Sequence, residues 1–93
     1  MGNEKLLETN LRNGAKKRGG WAVKFWPLSL AGFPDRFVLM PCAKIYFVEM
    51  KTTGKKPSPI QRIMHAKLLK LGFKVWVIDT QEILNDFFNE ISK

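Results

Sequence analysis

Two short apolar runs, each with a carboxylate at one end, constrain this chain more than any other feature. Residues 43–50 (AKIYFVEM) are rich in Ile, Tyr, Phe and Val and lie between Pro41-Cys42 and Thr53-Gly54. That composition, bounded by turn-forming residues, reads as a β-strand. Phe37-Val38-Leu39-Met40 is a second such run, and residues 41–44 connect the two closely enough for a hairpin. Pairing them carries Asp35, which precedes the first run, back beside Glu49 in the second. Side chains two apart on a strand share a face, so Glu49 and Lys51 project together. They do so where apolar sequence gives way to a polar, Gly-containing loop. A carboxylate and an ammonium at the mouth of a buried strand are costly unless paired or used. Two carboxylates with a lysine alongside can hold a hard divalent cation and a water next to a phosphate.

The remaining elements follow in order. Leu6, Leu7, Leu11 and Ala15 recur at helical spacing over about residues 3–18, and Gly19-Gly20 ends that helix. Glu4 and Glu8 are one turn apart on it and share a face. Acids near a helix N-terminus suit the macrodipole, which is a sufficient structural reason for both. Lys16-Lys17-Arg18 is either a solvated helix end or a phosphate contact. Trp21–Phe25 alternates as a first strand, with Lys24 on the face of Ala22 and Trp26. Residues 27–34 (PLSLAGFP) form a loop placed to face a substrate, and are also a candidate dimer contact. Arg36 can reach a phosphate or balance local charge.

Residues 52–58 form a basic, polar loop in which Lys55 and Lys56 are candidate nucleic-acid contacts. Ser58-Pro59-Ile60-Gln61 then starts a helix, with Ser as cap, Pro at the first helical position and Gln three after the cap. The capping box alone accounts for Gln61. Ile60, Ile63, Met64, Leu68 and Leu71 form the expected buried stripe, and Gly72 ends the helix. Arg62 on its outer side is a candidate phosphate contact. His65 is expected to be surface or semi-buried rather than catalytic. Lys74–Ile78 reads as a strand buried on both faces. A last helix begins near Gln81, capped by Asp79 or Thr80. Its stripe of Ile83, Leu84, Phe87, Phe88 and Ile91 packs on the sheet or, in part, forms a dimer contact.

Composition narrows the function classes. The 93 residues are expected to make one domain, 1–93, small enough to bury about two thirds of its unfolded surface. A single Cys and a single His exclude a disulfide framework, a Cys/His zinc site within one chain and a His-metal finger. No apolar run approaches the ~20 residues that span a bilayer, and no secretory signal is visible, so a membrane role is not expected. Sixteen Lys and Arg against eight Asp and Glu give a net charge of +8. Such a surface calls for a polyanion; a basic but merely soluble domain is the plainer alternative.

Gly32-Phe33-Pro34-Asp35 followed by Phe47-Val48-Glu49-Met50-Lys51 resembles the Pro-Asp…Glu-x-Lys signature of the restriction-endonuclease-like nucleases. Within that superfamily the chain resembles the virus-type replication-repair nuclease domain, VRR-NUC. Gly19-Gly20 before Lys24-Phe25, Gln61 after Ser-Pro, and Leu71-Gly72 before Val75–Ile78 carry the narrower likeness, which spans residues 4–80. The resemblance implies an α/β fold of order αβββαβα, a restriction-endonuclease-like core with a mixed sheet flanked by helices.

It further implies hydrolysis of DNA phosphodiesters with Mg²⁺ or Mn²⁺. The metal ligands would be Asp35, Glu49, the backbone carbonyl of Met50 and an acid of the first helix, Glu8 with Glu4 in reserve. Lys51 would stabilise the transition state or orient the water, and Gln61 would stand close by. Lys24 resembles a basic residue of junction-cleaving relatives. Stand-alone members resemble Holliday-junction resolvases, which implies a homodimer acting on branched DNA, inside a host cell if phage-encoded. A module that binds nucleic acid without cutting it is the alternative, although binding alone does not require Asp35, Glu49 and Lys51 together.

Overall fold

The computed structural model describes residues 4–25 and 30–93. Leu7, Leu11 and Ala15, four residues apart, form the buried stripe of helix α1 (Glu4–Lys17). Leu6, expected in that stripe, lies on the open side instead. Asn13-Gly14 does not interrupt the helix, and Gly14 has a packing reason, because a Cβ there would collide with the Phe88 ring. Gly19, at φ +82°, takes the left-handed conformation that ends α1.

Strands β1 (Trp21–Lys24), β2 (Arg36–Met40), β3 (Lys44–Met50) and β4 (Val75–Ile78) form one four-stranded sheet in the order β1-β2-β3-β4. The first two pairings are antiparallel, and β3 pairs with β4 in parallel. The expected hairpin is β2–β3, with Arg36 opposite Val48 and Met40 opposite Lys44. Its turn places Cys42 and Ala43 at φ 69° and 61°, a conformation that costs an L-residue about 1–2 kcal/mol. A parallel partner requires a crossover, and helix α2 (Pro59–Lys70) supplies it. Helix α3 (Gln81–Ile91) closes the described chain, capped by Thr80, whose hydroxyl accepts from the Ile83 N–H at 3.2 Å. Asp79, the other candidate cap, holds the loop after β3 by accepting from the Gly54 N–H at 3.1 Å.

Strand alternation divides the sheet. Ala22, Val38, Val48, Met50 and Ile78 face α1 and α3 and make the core with Leu11, Leu84 and Phe87. Phe87, Phe88 and Ile91 are all buried there, so the C-terminal stripe serves its own sheet and is not free for a dimer contact. The other face carries Val23, Phe37, Phe47, Glu49 and Val77, and α2 covers it at β4. Two expectations fail on this side. β4 is an edge strand and only Ile78 is fully buried. Of the stripe expected on α2, only Leu68 is buried; Ile63 is 60% exposed and Leu71 74%. One helix covers this face only at β4; Phe33 and Phe25 pack on Phe37 and Phe47 over β2 and β3, while among the described residues the flank of α2, Trp21 and Ile45 stay exposed. An order of αβββαβα around a mixed sheet, helices on both faces, is the fold the resemblance implies.

Candidate active site

The hairpin register builds the centre of the site. Arg36 opposite Val48 places Asp35, one residue earlier, across from Glu49, one residue later. The Phe25 N–H donates to the Asp35 carbonyl at 2.7 Å, extending the β1–β2 pairing through this residue. On the other side the Lys51 N–H donates to the Ile78 carbonyl at 3.0 Å, so the end of β3 is held as firmly. Asp35, Glu49 and Lys51 therefore meet at one end of the sheet, between the first turns of α1 and α2.

Glu49 is the electrostatic focus. It is only 4% exposed, and burial followed by the nearby Asp35 pushes its carboxyl up to about 7, against the pull of Lys51 and Arg36. Burial also raises Asp35, opposed by Arg36. Glu49 Oε1 and Asp35 Oδ1 are both buried without a hydrogen-bond partner. Two bare carboxylate oxygens in one sheltered place are unfavourable alone, and a divalent cation is the group that would satisfy both. Among the described residues no three Asp, Glu, His or Cys side chains gather as a ready ligand set.

Gln61 makes two contacts, one in the capping box and one to Glu49. Its Oε1 accepts from the Ser58 N–H at 2.8 Å while Ser58 Oγ accepts from the Gln61 N–H at 3.3 Å, completing the capping box. Its Nε2 donates to Glu49 Oε2 at 3.1 Å. The box thus turns the amide so that its NH₂ meets the carboxylate, leaving Oε1 of Glu49 as the bare oxygen.

Both acids of α1 face this cluster, by different routes. Glu4 accepts from Thr52 Oγ1 at 3.1 Å and adds to the negative field on Glu49. Thr52 had no signal in the sequence, since it acts across 48 positions. Glu8, the acid expected to join the metal ligands, is instead paired with Arg36, Oε1 to Nη2 at 2.7 Å. Arg36, expected at a phosphate or in local charge balance, takes the second part. Its side chain is 5% exposed and also lies 3.3 Å from Asp35 Oδ2, too sheltered to meet DNA.

The other basic candidates lie around the rim. Lys24 is exposed and stands opposite Arg36 in the register. Lys55 and Lys56 are exposed on the loop that Asp79 and Thr53 pin. Arg62 is exposed, with one Nη donating to the Pro57 carbonyl at 2.8 Å. Of the loop 27–34, only 30–34 fall within the described residues; Trp26 and 27–29 lie outside them. His65 is half-buried, its Nε2 lacks a partner, and burial with the neighbouring Lys51 lowers its pKa.

No family profile matches the chain. A protein named "Putative nuclease p44" from Acyrthosiphon pisum secondary endosymbiont phage 1 is 44% identical over 80 residues, covering 86% of each chain. A solved structure described as a VRR_NUC domain superposes with a TM-score of 0.81 at 26% identity, covering 91% of this chain and 94% of that one. A phage nuclease relative over nearly the full length and a shared fold around the same hairpin lead to one assignment: this chain belongs to the VRR-NUC nuclease family.

Proposed function

We propose that this nuclease is a Mg²⁺- or Mn²⁺-dependent DNA endonuclease, working inside the host cell as a homodimer on branched DNA, four-way junctions above all. The observation that carries the metal is the pair of buried, unpartnered oxygens on Asp35 and Glu49 beside Lys51. Those two carboxylates and the Met50 carbonyl would hold the ion. When bound, it polarises a phosphate oxygen and lowers the pKa of a water. Lys51 donates to the oxygens that gain charge in the transition state or orients the water. Gln61 holds Glu49 in place. Lys24, Lys55, Lys56 and Arg62 supply phosphate contacts from the rim.

The dimer contact is the exposed apolar side chains on the α2 face of the sheet, beside α2 and around the Phe33–Phe37–Phe47 cluster. Trp21, Leu39 and Ile45 form one row across β1, β2 and β3 on that side, with Trp21 66% exposed. Phe73 packs on Phe47 at 5.3 Å and continues the surface towards the open flank of α2. Its large exposed side chains present on the order of 600 Å² per chain, the top of the range for a monomer's largest apolar patch. A second copy covering it twofold buries about 1,200 Å², the lower end of a specific interface.

The deciding assay compares four-way junction, flap, single-stranded and linear duplex DNA with Mg²⁺ or Mn²⁺, and with EDTA. Cutting is expected with either metal, none with EDTA, and at least about a tenfold preference for the junction. Equal cutting of junction and duplex rejects the branched substrate; cutting in EDTA rejects the metal. Binding should fall with salt at a log–log slope of about −5 for roughly six phosphates neutralised.

Gln61→Glu separates the two roles of its residue. Glutamate at this position completes a capping box as well as glutamine does, so the cap should survive and the variant should fold, less stable by about 1–3 kcal/mol because the buried Glu49 loses its donor. It cannot donate to Glu49 and adds a like charge there, so cleavage should fall at least about tenfold. Full cleavage by the folded variant would leave Gln61 a cap alone.

A further inference from the structure

Arg36 has more to do than its place beside Asp35 suggests. The residue opens β2, and its guanidinium turns to the α1 side of the sheet. There one nitrogen meets Glu8 Oε1 at 2.7 Å and the other meets Asp35 Oδ2 at 3.3 Å. The Glu8 contact is the shorter, and the arginine side chain that makes both is 5% exposed. Asp35 is thereby divided. Oδ2 is held by the guanidinium, while Oδ1 is left bare, as is Oε1 of Glu49.

We infer that Arg36 occupies the place a second cation would take between Glu8 and Asp35, so that this site accepts a single divalent ion. The inference rests on the metal-dependent reading above and concerns how many ions that site holds. In two-metal phosphodiester sites the ions stand about 3.5–4 Å apart and share carboxylates. Here Asp35 is the carboxylate to be shared and Glu8 the one that would serve the second ion, and a guanidinium already joins them. Glu4, Glu8, Asp35 and Glu49 bring four formal negative charges, and Arg36 and Lys51 bring two positive ones. The remainder is the charge of one divalent cation. A second ion would have to displace a sheltered guanidinium and leave it uncompensated, which is strongly unfavourable. Arg36 is thus a positioning residue. It selects which oxygen of Asp35 faces the metal and keeps Glu8 off it.

The test counts Mn²⁺ on the full, metal-stripped chain by calorimetry and by electron paramagnetic resonance. The native protein is expected to bind one Mn²⁺ per chain in this site, without the spin coupling of a close pair. Arg36→Met, verified as folded by circular dichroism, should bind two, and Arg36→Met with Glu8→Gln should return to one. Two coupled ions on the native chain, or a single ion on the folded Arg36→Met variant, would overturn the inference. Should Arg36→Met not fold, Glu8→Gln alone decides. Its amide oxygen still accepts from Arg36, so one ion should bind within about threefold of native affinity; a loss beyond tenfold makes Glu8 a ligand and ends the inference. No Mn²⁺ on the native chain is a different failure, and it removes the metal-dependent reading as well.

Discussion

Glu49→Gln is expected to lower cleavage by at least about two orders of magnitude and, without metal, to stabilise the fold at neutral pH and above. The first effect follows, on the metal-dependent reading proposed above, from removing a charge that metal and transition state would both depend on. The second follows from burial. Glu49 ionises at about 7 in the folded chain against 4.5 ordinarily. Between those values the native state holds a proton that the unfolded chain has released, so the contribution of Glu49 to stability is full below about pH 4.5 and is lost as pH rises through 7. A shift of that size corresponds to about 3 kcal/mol, and Asp35, also raised by burial, acts in the same direction. The amide that replaces the carboxyl in the Glu49→Gln variant does not titrate in this range. Melting temperatures at pH 5 and pH 8 in EDTA should drop for the native protein and change far less for the variant. Mn²⁺ at pH 8 should restore the native protein alone, because a ligand bound only to the fold stabilises it. Asp35→Asn and Lys51→Ala should reduce cleavage comparably. DNA affinity without metal should rise slightly for the acid changes, which make the site less negative. A folded Glu49→Gln protein that cuts at the native rate would sink the mechanism.

What the sequence disclosed and what it withheld divide along physical range. The β2–β3 hairpin was legible because its strands are adjacent in the chain and punctuated by Pro34-Asp35 and Pro41-Cys42. The Ser58–Gln61 capping box was legible because it closes within three residues. Periodicity showed that α2 has an apolar side, yet periodicity cannot say whether enough sheet lies beneath to cover it. Arg36 next to Asp35 suggested a phosphate contact or local balance; only the fold of α1 onto β2 brings Glu8 to its other nitrogen and decides between them. Asp79 and Thr80 are equally good caps in isolation. The choice fell to Thr80 because the loop at Gly54 engages Asp79. Gly14 looked like a weak point in a helix, and its reason sits on α3, in the ring of Phe88.

The open face makes the other large prediction: Ile63→Glu and Ile45→Lys should each convert a dimer into a folded monomer, raising the dissociation constant by about a hundredfold or more. Both side chains are exposed on the α2 side of the sheet, so a charge there costs the monomer little and is buried unpaired only if a second copy docks. Leu6→Glu is the control. Leu6 is as exposed as Ile63 but lies on α1, which packs on the opposite face, so the dimer should survive it. Salt gives an independent reading. Each chain carries a net charge of +8, so two copies repel one another, and raising ionic strength should tighten the dimer by screening while it weakens DNA binding. Light scattering at micromolar concentration, at low and high salt, reads all three variants. The functional consequence is specific to a junction. Two opposed cuts need two sites related by the dimer axis, so the monomeric variants should still nick DNA with metal but lose paired cleavage. A native protein that scatters as a monomer would reject the dimer and the junction reading together, and would leave the nuclease itself standing.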